Sequence, residues 1–229
     1  MTIRIPFKAV IFDLDGTLIE SIADVHAALQ QALSAYHVTI PFSQMRGLVS
    51  HGLEPMIEKA CILANLTLAA AQKKQIMADY LAYYRHHPTT HTIIFPGVID
   101  CLKNLAAANI LLAICSNKPS VTANLVLTHL NLAPFFTCII GGDDTPRKKP
   151  DPQHLHIVLE KLKIAAADAV MIGDAQPDVQ AAHGVGMEAV VFCPPEKELA
   201  LFGTKHYFDH FDQLISVLGT VAITHSATP

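Results

Sequence analysis

Residues 9–18 of the chain are Ala9-Val10-Ile11-Phe12-Asp13-Leu14-Asp15-Gly16-Thr17-Leu18. A short apolar run closed by a glycine turn is typical of a buried strand in a parallel α/β sheet, where functional sites lie just beyond the strand ends. Alternation places Asp13 and Asp15 on one side, where two carboxylates repel each other unless a cation or a shared proton relieves them. The alternative is a tight turn at Asp15-Gly16 with Asp13 capping a backbone amide. The stretch therefore predicts either a cation site or a polar turn.

The composition excludes several classes of function. The 229 residues are 51% hydrophobic, carry 16 basic and 20 acidic side chains, and contain no basic stripe with interleaved aromatic residues, so no nucleic-acid partner is expected. No apolar run approaches the roughly 18 residues that span a bilayer, and the layout of a signal peptide is missing, so we expect a soluble protein with no membrane partner. Five scattered cysteines without a C-x-x-C pair favour a reducing cytoplasm.

The apolar pattern divides the chain into two regions. Residues 21–91 show the three- and four-residue spacings of amphipathic helices. From residue 92 onward, apolar runs alternate with helical patterns of about ten to fifteen residues, which predicts a parallel sheet covered on both faces. We therefore expect an α/β core made of residues 1–20 and 92–229, with residues 21–91 as a helical insertion placed like a lid over the strand ends. The last ten residues are expected to form a loose tail.

Polar side chains follow each of three predicted strands. They are Asp13 and Asp15, Ser116 and Asn117, and Asp174 and Asp178. Because parallel strands share a direction, these side chains are expected to converge at one edge of the sheet. The four carboxylates would repel one another without a cation, and oxygen ligands suit Mg²⁺. A metal site is therefore predicted, although Asp178 also has the position of a helix cap.

The same edge has features suited to an anion. Ser116 and Asn117 offer a hydroxyl, an amide and backbone N–H groups at the start of a helix, which is either an anion site or an ordinary N-cap. Lys149 ends a basic run, and Pro150 restricts its backbone to an extended form, so it is the lysine expected to reach the anion. Together these groups predict a site that handles phosphate.

The combined pattern resembles the haloacid dehalogenase (HAD) superfamily of phosphatases. Its four motifs match in order: D-x-D-G-T at 13–17, a serine at 116, K-P-x-P at 149–152 and G-D-x-x-x-D at 173–178. The resemblance implies a Rossmann-like core with a small α-helical cap. It also implies that Asp13 attacks phosphorus to form an aspartyl-phosphate, while Asp15 acts as general acid and then general base.

Further roles follow from the resemblance. Mg²⁺ is implied to lie on the side chains of Asp13 and Asp174 and the carbonyl of Asp15, with Asp178 binding directly or through water. The remaining groups are implied to hold the phosphoryl oxygens and the substrate: Ser116, the Asn117 backbone and Lys149, with Thr17 in the first motif and His51 and Gly52 in the cap.

Within the superfamily, segments 116–119, 139–152 and 45–52 are most similar to phosphoglycolate phosphatases. The chain departs from that pattern at Ser50-His51-Gly52, where a Gly-Asn-Gly-like triplet is usual, and at Ala175, where a serine is usual. The resemblance implies a small phosphorylated metabolite such as 2-phosphoglycolate as the partner. Because specificity in this design lies in the cap, the departures in the cap bear on which ester is used. We expect the protein to be a monomer or a homodimer.

Other functions on this scaffold are open to different degrees. Hydrolytic dehalogenases and phosphonatases do not need the second aspartate, so Asp15 argues against both. A phosphatase acting on sugar phosphates, including amino-sugar phosphates, or a sugar phosphomutase would keep all four motifs. A non-enzymatic binding module is disfavoured because the four key residues are all present, namely Asp13, Asp15, Lys149 and Asp174. The histidines at 86, 87 and 91 are interpreted as part of a polar connection rather than a metal site.

Overall fold

Strand β1 lies at the centre of the main sheet. The computed structural model describes residues 5–49, 52–195, 198–200 and 202–225. In β1 (Ala9–Phe12) all four side chains are buried, and its two edges pair with β4 and β6, both parallel. The six-stranded sheet has the order β5-β4-β1-β6-β7-β8 and every pairing in it is parallel. The other strands are β4 (Leu111–Cys115), β5 (Cys138–Ile140), β6 (Ala169–Gly173), β7 (Glu188–Phe192) and β8 (Tyr207–Phe208).

Alternation along β1 divides the core into two apolar layers. Val10 and Phe12 pack into a large cluster with residues of α5, α6 and α9, whereas Ala9 and Ile11 pack on the opposite face with α7 and α8. These helices are α5 (Val98–Ala107), α6 (Ser120–His129), α7 (Gln153–Leu162), α8 (Gln176–Gly184) and α9 (Leu214–His225). The predicted α/β fold, a parallel sheet between two helical layers, is confirmed.

The segment between β1 and α5 is helical. It contains α1 (Ile22–Leu33), α2 (Met45–Leu48), α3 (Leu53–Leu63) and α4 (Ala70–His86), close to the bounds that periodicity predicts. α1 packs against α4, and the buried side chains of Ile76, Tyr80 and Tyr84 lie on one face of α4. A short antiparallel ribbon of β2 (Ile19–Glu20) and β3 (Ile93–Ile94) joins the two ends of this segment.

One feature differs from the sequence expectations. Helix α9 continues to His225, so the expectation of a loose tail over the last ten residues is wrong for its first six residues.

The buried carboxylate of Asp24 on α1 accepts hydrogen bonds from the backbone N–H groups of His91 and Thr92 and from the Thr92 hydroxyl. This contact ties α1 to the chain just before β3. Within the described residues, no helix is long and apolar enough to cross a membrane.

Candidate active site

Asp13 and Asp15 follow directly after the end of β1. The Asp13 N–H donates to the Ile172 carbonyl at 2.8 Å, which extends the pairing with β6 by one residue beyond the strand. The chain then turns at Gly16, whose φ of +87° lies in a region that side chains with a Cβ rarely adopt. A Cβ on Gly16 would also lie 2.6 Å from an Asp174 oxygen. The glycine therefore permits both the turn and the close approach of the third aspartate.

Lys149 is a buried cation of the site. Its Nζ donates to Asp13 Oδ1 at 2.9 Å and to Asp178 Oδ1 at 2.6 Å, and it also contacts the Cys115 carbonyl. Only 2% of the lysine side chain is exposed. Removing one partner from such a buried group leaves a charge uncompensated and costs about 3–5 kcal/mol. Lys149 therefore holds the ends of β1, β4 and α8 together electrostatically.

Burial shifts the ionisation of these groups. It raises the pKa of Asp13 to about 6, although the Lys149 ammonium opposes the shift. Burial likewise raises the pKa of Asp178, again against Lys149. For Lys149, burial alone lowers the pKa, but the Asp13 and Asp178 carboxylates outweigh it and the net pKa is raised. The lysine is therefore charged at neutral pH.

Three of the predicted metal ligands meet in space. Carboxylate oxygens of Asp13, Asp174 and Asp178 all lie within 4.8 Å of one another. Hard carboxylate oxygens in this number fit a divalent cation such as Mg²⁺, which binds oxygen ligands and retains several waters. Gly173 makes the grouping possible, because a Cβ there would lie 2.3 Å from Asp178 Cγ. The glycine of the G-D-x-x-x-D motif is thus required by packing.

Ser116 and Asn117 extend the site from the end of β4. The Ser116 N–H donates to the Ile140 carbonyl at 3.0 Å, and its hydroxyl accepts from the N–H of Lys118 at 3.3 Å. The Asn117 amide donates to the Lys149 carbonyl at 2.9 Å. Both residues line the same cavity as the aspartates. The asparagine side chain therefore holds the lysine loop beside the aspartates.

Lys118 is a functional candidate that sequence reasoning missed. Its Nζ lies 3.2 Å from both carboxylate oxygens of Asp15 and 4.6 Å from the centre of the Tyr84 ring, and only 6% of its side chain is exposed. Burial alone lowers its pKa, but Asp15, helped by Tyr84 and Tyr80, raises it overall. Its position next to the serine and asparagine of the second motif was the one available sequence signal.

The remaining predicted residues lie in different places. Thr17 is fully buried, and its hydroxyl donates to Asp174 Oδ1 at 3.4 Å instead of lining the cavity. Gly52 lines the cavity, and a Cβ there would lie 2.9 Å from the Asn117 carbonyl oxygen, so this part of the helical segment packs closely on the sheet edge. Ser50 and His51 lie outside the described residues, and the role expected for His51 stays a prediction.

The histidines near Pro88 belong to the end of the helical segment. The His87 ring packs against Tyr83 with centroids 4.6 Å apart, and His91 contacts Asp24 through its backbone N–H. In the part of the chain that the structure describes, the group with metal-binding geometry is the aspartate cluster. The interpretation of these histidines as part of a polar connection is consistent with these contacts.

The cavity lies between the strand ends and the helical segment. Its volume is about 460 Å³. One side carries the polar groups at the ends of β1, β4 and β6. The other side carries residues of the helical segment, including Ile22, Val25, Arg46, Val49, Leu53, Met56 and Tyr80. The site is therefore polar where the aspartates lie and mainly apolar opposite them.

This fold and site define an α/β protein of the enzyme type, with a carboxylate and lysine centre at the carboxyl edge of its parallel sheet. A family model described as haloacid dehalogenase-like hydrolase matches residues 10–192, so the chain belongs to that family. A phosphoglycolate phosphatase from Rhodospirillum rubrum is 33% identical over 221 residues, which are 93% of this chain and 91% of the relative. A phosphoglycolate phosphatase from Vibrio cholerae serotype O1 is 35% identical over 185 residues, which are 78% of this chain and 81% of the relative.

Solved structures show the same fold. A predicted phosphoglycolate phosphatase from Haemophilus somnus 129PT superposes with a TM-score of 0.85 at 24% identity, covering 93% of this chain and 98% of the other. The chain is thus a phosphoglycolate phosphatase-like hydrolase of the HAD family. The family, fold and enzyme class predicted from the sequence are confirmed.

Proposed function

We propose that this chain is a Mg²⁺-dependent phosphate monoester hydrolase that acts through an aspartyl-phosphate on Asp13. One observation carries the proposal: Asp13, Asp15, Ser116 and Lys149 come from three distant parts of the sequence and line a single cavity. A carboxylate group suited to a divalent cation lies beside them. This combination supplies a nucleophile, an acid/base group and positive charge for phosphoryl transfer.

The chemistry divides into two steps. In the first, a carboxylate oxygen of Asp13 bonds to phosphorus while the ester P–O bond breaks, and Asp15 gives a proton to the departing oxygen. In the second, Asp15 takes a proton from water as the water oxygen bonds to phosphorus and the bond to Asp13 breaks. Inorganic phosphate leaves and both aspartates are restored. Lys149 Nζ, the Ser116 hydroxyl and the Asn117 N–H hold the phosphoryl oxygens.

The aspartates at the ends of β1 and β6 are proposed to hold the cation. Asp13, Asp174 and Asp178 supply carboxylate oxygens, with the backbone carbonyl of Asp15 as a further ligand. When bound, Mg²⁺ offsets the negative charge of the phosphoryl oxygens. Thr17, which contacts Asp174, supports the orientation of that carboxylate.

Residues 21–91 are proposed to act as a cap over a core made of residues 1–20 and 92–229. The cavity lining supports this division, because α1, α3 and α4 each supply residues that face the aspartates across the cavity. His51 and Gly52 are proposed to take part in substrate recognition from the cap. Cys61, Cys101, Cys115 and Cys138 are free thiols, which suits an enzyme of the cytoplasm.

The substrate is proposed to be a small anionic ester, 2-phosphoglycolate. Relatives that carry this activity in their names support the assignment. A further support is charge, because the cations Lys118 and Arg46 both line the cavity. Lys118 lies beside Asp15, the group that is proposed to protonate the leaving oxygen, so it is placed to attract a carboxylate on the leaving group.

Phosphate release from p-nitrophenyl phosphate tests the reaction. We expect release that requires Mg²⁺, stops with EDTA and is abolished in Asp13→Asn. Asp168→Asn is the matched control, because Asp168 pairs with Lys8 at the surface and is not one of the residues that line the cavity. A wild-type enzyme that releases no phosphate with any divalent metal would overturn the proposal.

A panel of esters tests the substrate. Comparing kcat/KM for 2-phosphoglycolate, hexose phosphates, amino-sugar phosphates and nucleotides should give the highest value for 2-phosphoglycolate. A flat profile, or a higher value for a sugar phosphate, would contradict this substrate while leaving the reaction class intact.

A further inference from the structure

A buried histidine lies directly behind the active-site lysine. His154, the second residue of α7, has no exposed surface. Its Nδ1 accepts a hydrogen bond from the backbone N–H of Lys149 at 3.2 Å, and its Nε2 lies 3.1 Å from the Gly141 carbonyl oxygen. The ring therefore bridges the lysine loop and the residue that follows β5. The four sequence motifs do not include this residue.

The two partners determine the protonation of the ring. A backbone N–H only donates and a carbonyl oxygen only accepts, so Nδ1 must be unprotonated and Nε2 must carry the hydrogen. Burial, reinforced by the nearby Lys149 charge, lowers the pKa of His154 to about 4. A second proton on Nδ1 would face the Lys149 N–H and break that hydrogen bond.

The backbone of Lys149 is thus held from both sides by side chains. His154 accepts from its N–H, and the Asn117 amide donates to its carbonyl oxygen. The lysine side chain then reaches Asp13 and Asp178. The position of Nζ depends on these backbone anchors, since the ammonium group lies at the end of a flexible chain.

We propose that His154 is a positioning residue for Lys149, and that its unprotonated Nδ1 holds the backbone N–H of the lysine so that Nζ meets the nucleophile and the phosphoryl group correctly. This inference rests on the proposed function, in which Lys149 acts on the transferred phosphoryl group. A misplacement of about 1 Å in such a group lowers rates by up to about 10²-fold.

Two substitutions distinguish the two hydrogen bonds of the ring, because each keeps one of them and removes the other. His154→Asn keeps an acceptor near the position of Nδ1 and loses the contact to Gly141, whereas His154→Gln keeps a donor near Nε2 and loses the contact to Lys149. With p-nitrophenyl phosphate and Mg²⁺, we expect His154→Asn to stay within about 3-fold of the wild-type kcat. His154→Gln should fall by about 10- to 100-fold, with a smaller change in KM.

A large-to-small substitution in the core controls for a general loss of stability. Val158→Ala lies one turn further along α7 at another fully buried position, in the apolar layer between α7 and the sheet, so it should lower the urea midpoint without lowering kcat. If kcat falls equally in the Asn and Gln variants, or follows the urea midpoint across all three variants, the positioning role is wrong.

Amide hydrogen exchange gives a readout that does not need activity. The Lys149 N–H should stay protected in wild type and His154→Asn, and should exchange faster in His154→Gln. Equal exchange in the two variants would overturn the inference even if the enzyme is active. Absence of phosphatase activity in wild type would instead refute the proposed function, and the exchange result would still decide whether His154 anchors Lys149.

Discussion

Acid should weaken the fold through His154. Its pKa is about 4 in the folded protein, against 6.5 for the free side chain. Between these values the unfolded chain binds a proton that the folded chain does not, so the free energy of unfolding falls as the pH falls. The stability associated with the neutral ring is complete above pH 6.5 and is lost as the pH falls toward 4.

The size of the effect follows from the shift. A difference of about 2.5 pKa units corresponds to about 3 kcal/mol over the full window. Most of it lies above pH 5, so lowering the pH from 7 to 5 should cost about 2 kcal/mol. Asp13 acts in the opposite direction, because its raised pKa makes the folded protein bind a proton first as the pH falls.

Comparing wild type with His154→Asn isolates this contribution, since both proteins carry Asp13 and the same surface. Urea unfolding at pH 7 and pH 5, at constant ionic strength and with EDTA, should show that wild type loses about 2 kcal/mol more than the variant. Equal losses in the two proteins would mean that the folded ring binds protons as readily as the unfolded one. The reasoning from its burial and its two backbone partners would then fail.

Three other substitutions test separate contacts. Gly173→Ala should destabilise the protein by about 1–3 kcal/mol in a thermal melt and abolish phosphate release, because the new Cβ would lie 2.3 Å from Asp178 Cγ. Gly47→Ala is the control for both measurements, because this glycine lies on a helix with open space around it. Asp24→Ala should cost about 3 kcal/mol in urea unfolding, since the buried N–H and hydroxyl of Thr92 and the part-buried N–H of His91 lose their acceptor. Lys118→Met should lower kcat/KM for 2-phosphoglycolate about 10-fold more than for p-nitrophenyl phosphate; equal losses on both esters would limit Lys118 to an effect on Asp15.

The features that sequence reasoning identified are local ones. Two short patterns each indicate a strand end by themselves: the apolar run followed by Asp13, and the glycine directly before Asp174. Because parallel strands run in the same direction, their carboxyl ends lie at one edge of the sheet, which predicts that these side chains meet there. The ribbon of β2 and β3 has strands of only two residues, which is too short for alternation to reveal.

The features that were missed are contacts between distant residues. Lys118 and Asp15 are 103 positions apart, and Asp24 and His91 are 67 positions apart. A lysine in a loop or a histidine near the start of a helix has an ordinary exposed role in most sequences, and only packing shows which ones are buried and paired. Thr17 illustrates the same limit, because its motif was recognised but its contact with Asp174 was not.

Asp13 and Asp15 are held by different parts of the fold, and this difference affects how each can act. Asp13 is held by Lys149 and lies among residues of the sheet edge. Asp15 instead accepts hydrogen bonds from Lys118 and from the hydroxyl of Ser21, which immediately precedes α1, and Lys118 in turn lies over Tyr84 of α4. A movement of α1 and α4 relative to the sheet would therefore change the surroundings of Asp15 and leave those of Asp13 intact. In the proposed mechanism, proton transfer would then depend on the position of the helical segment, whereas the nucleophile would stay in place regardless.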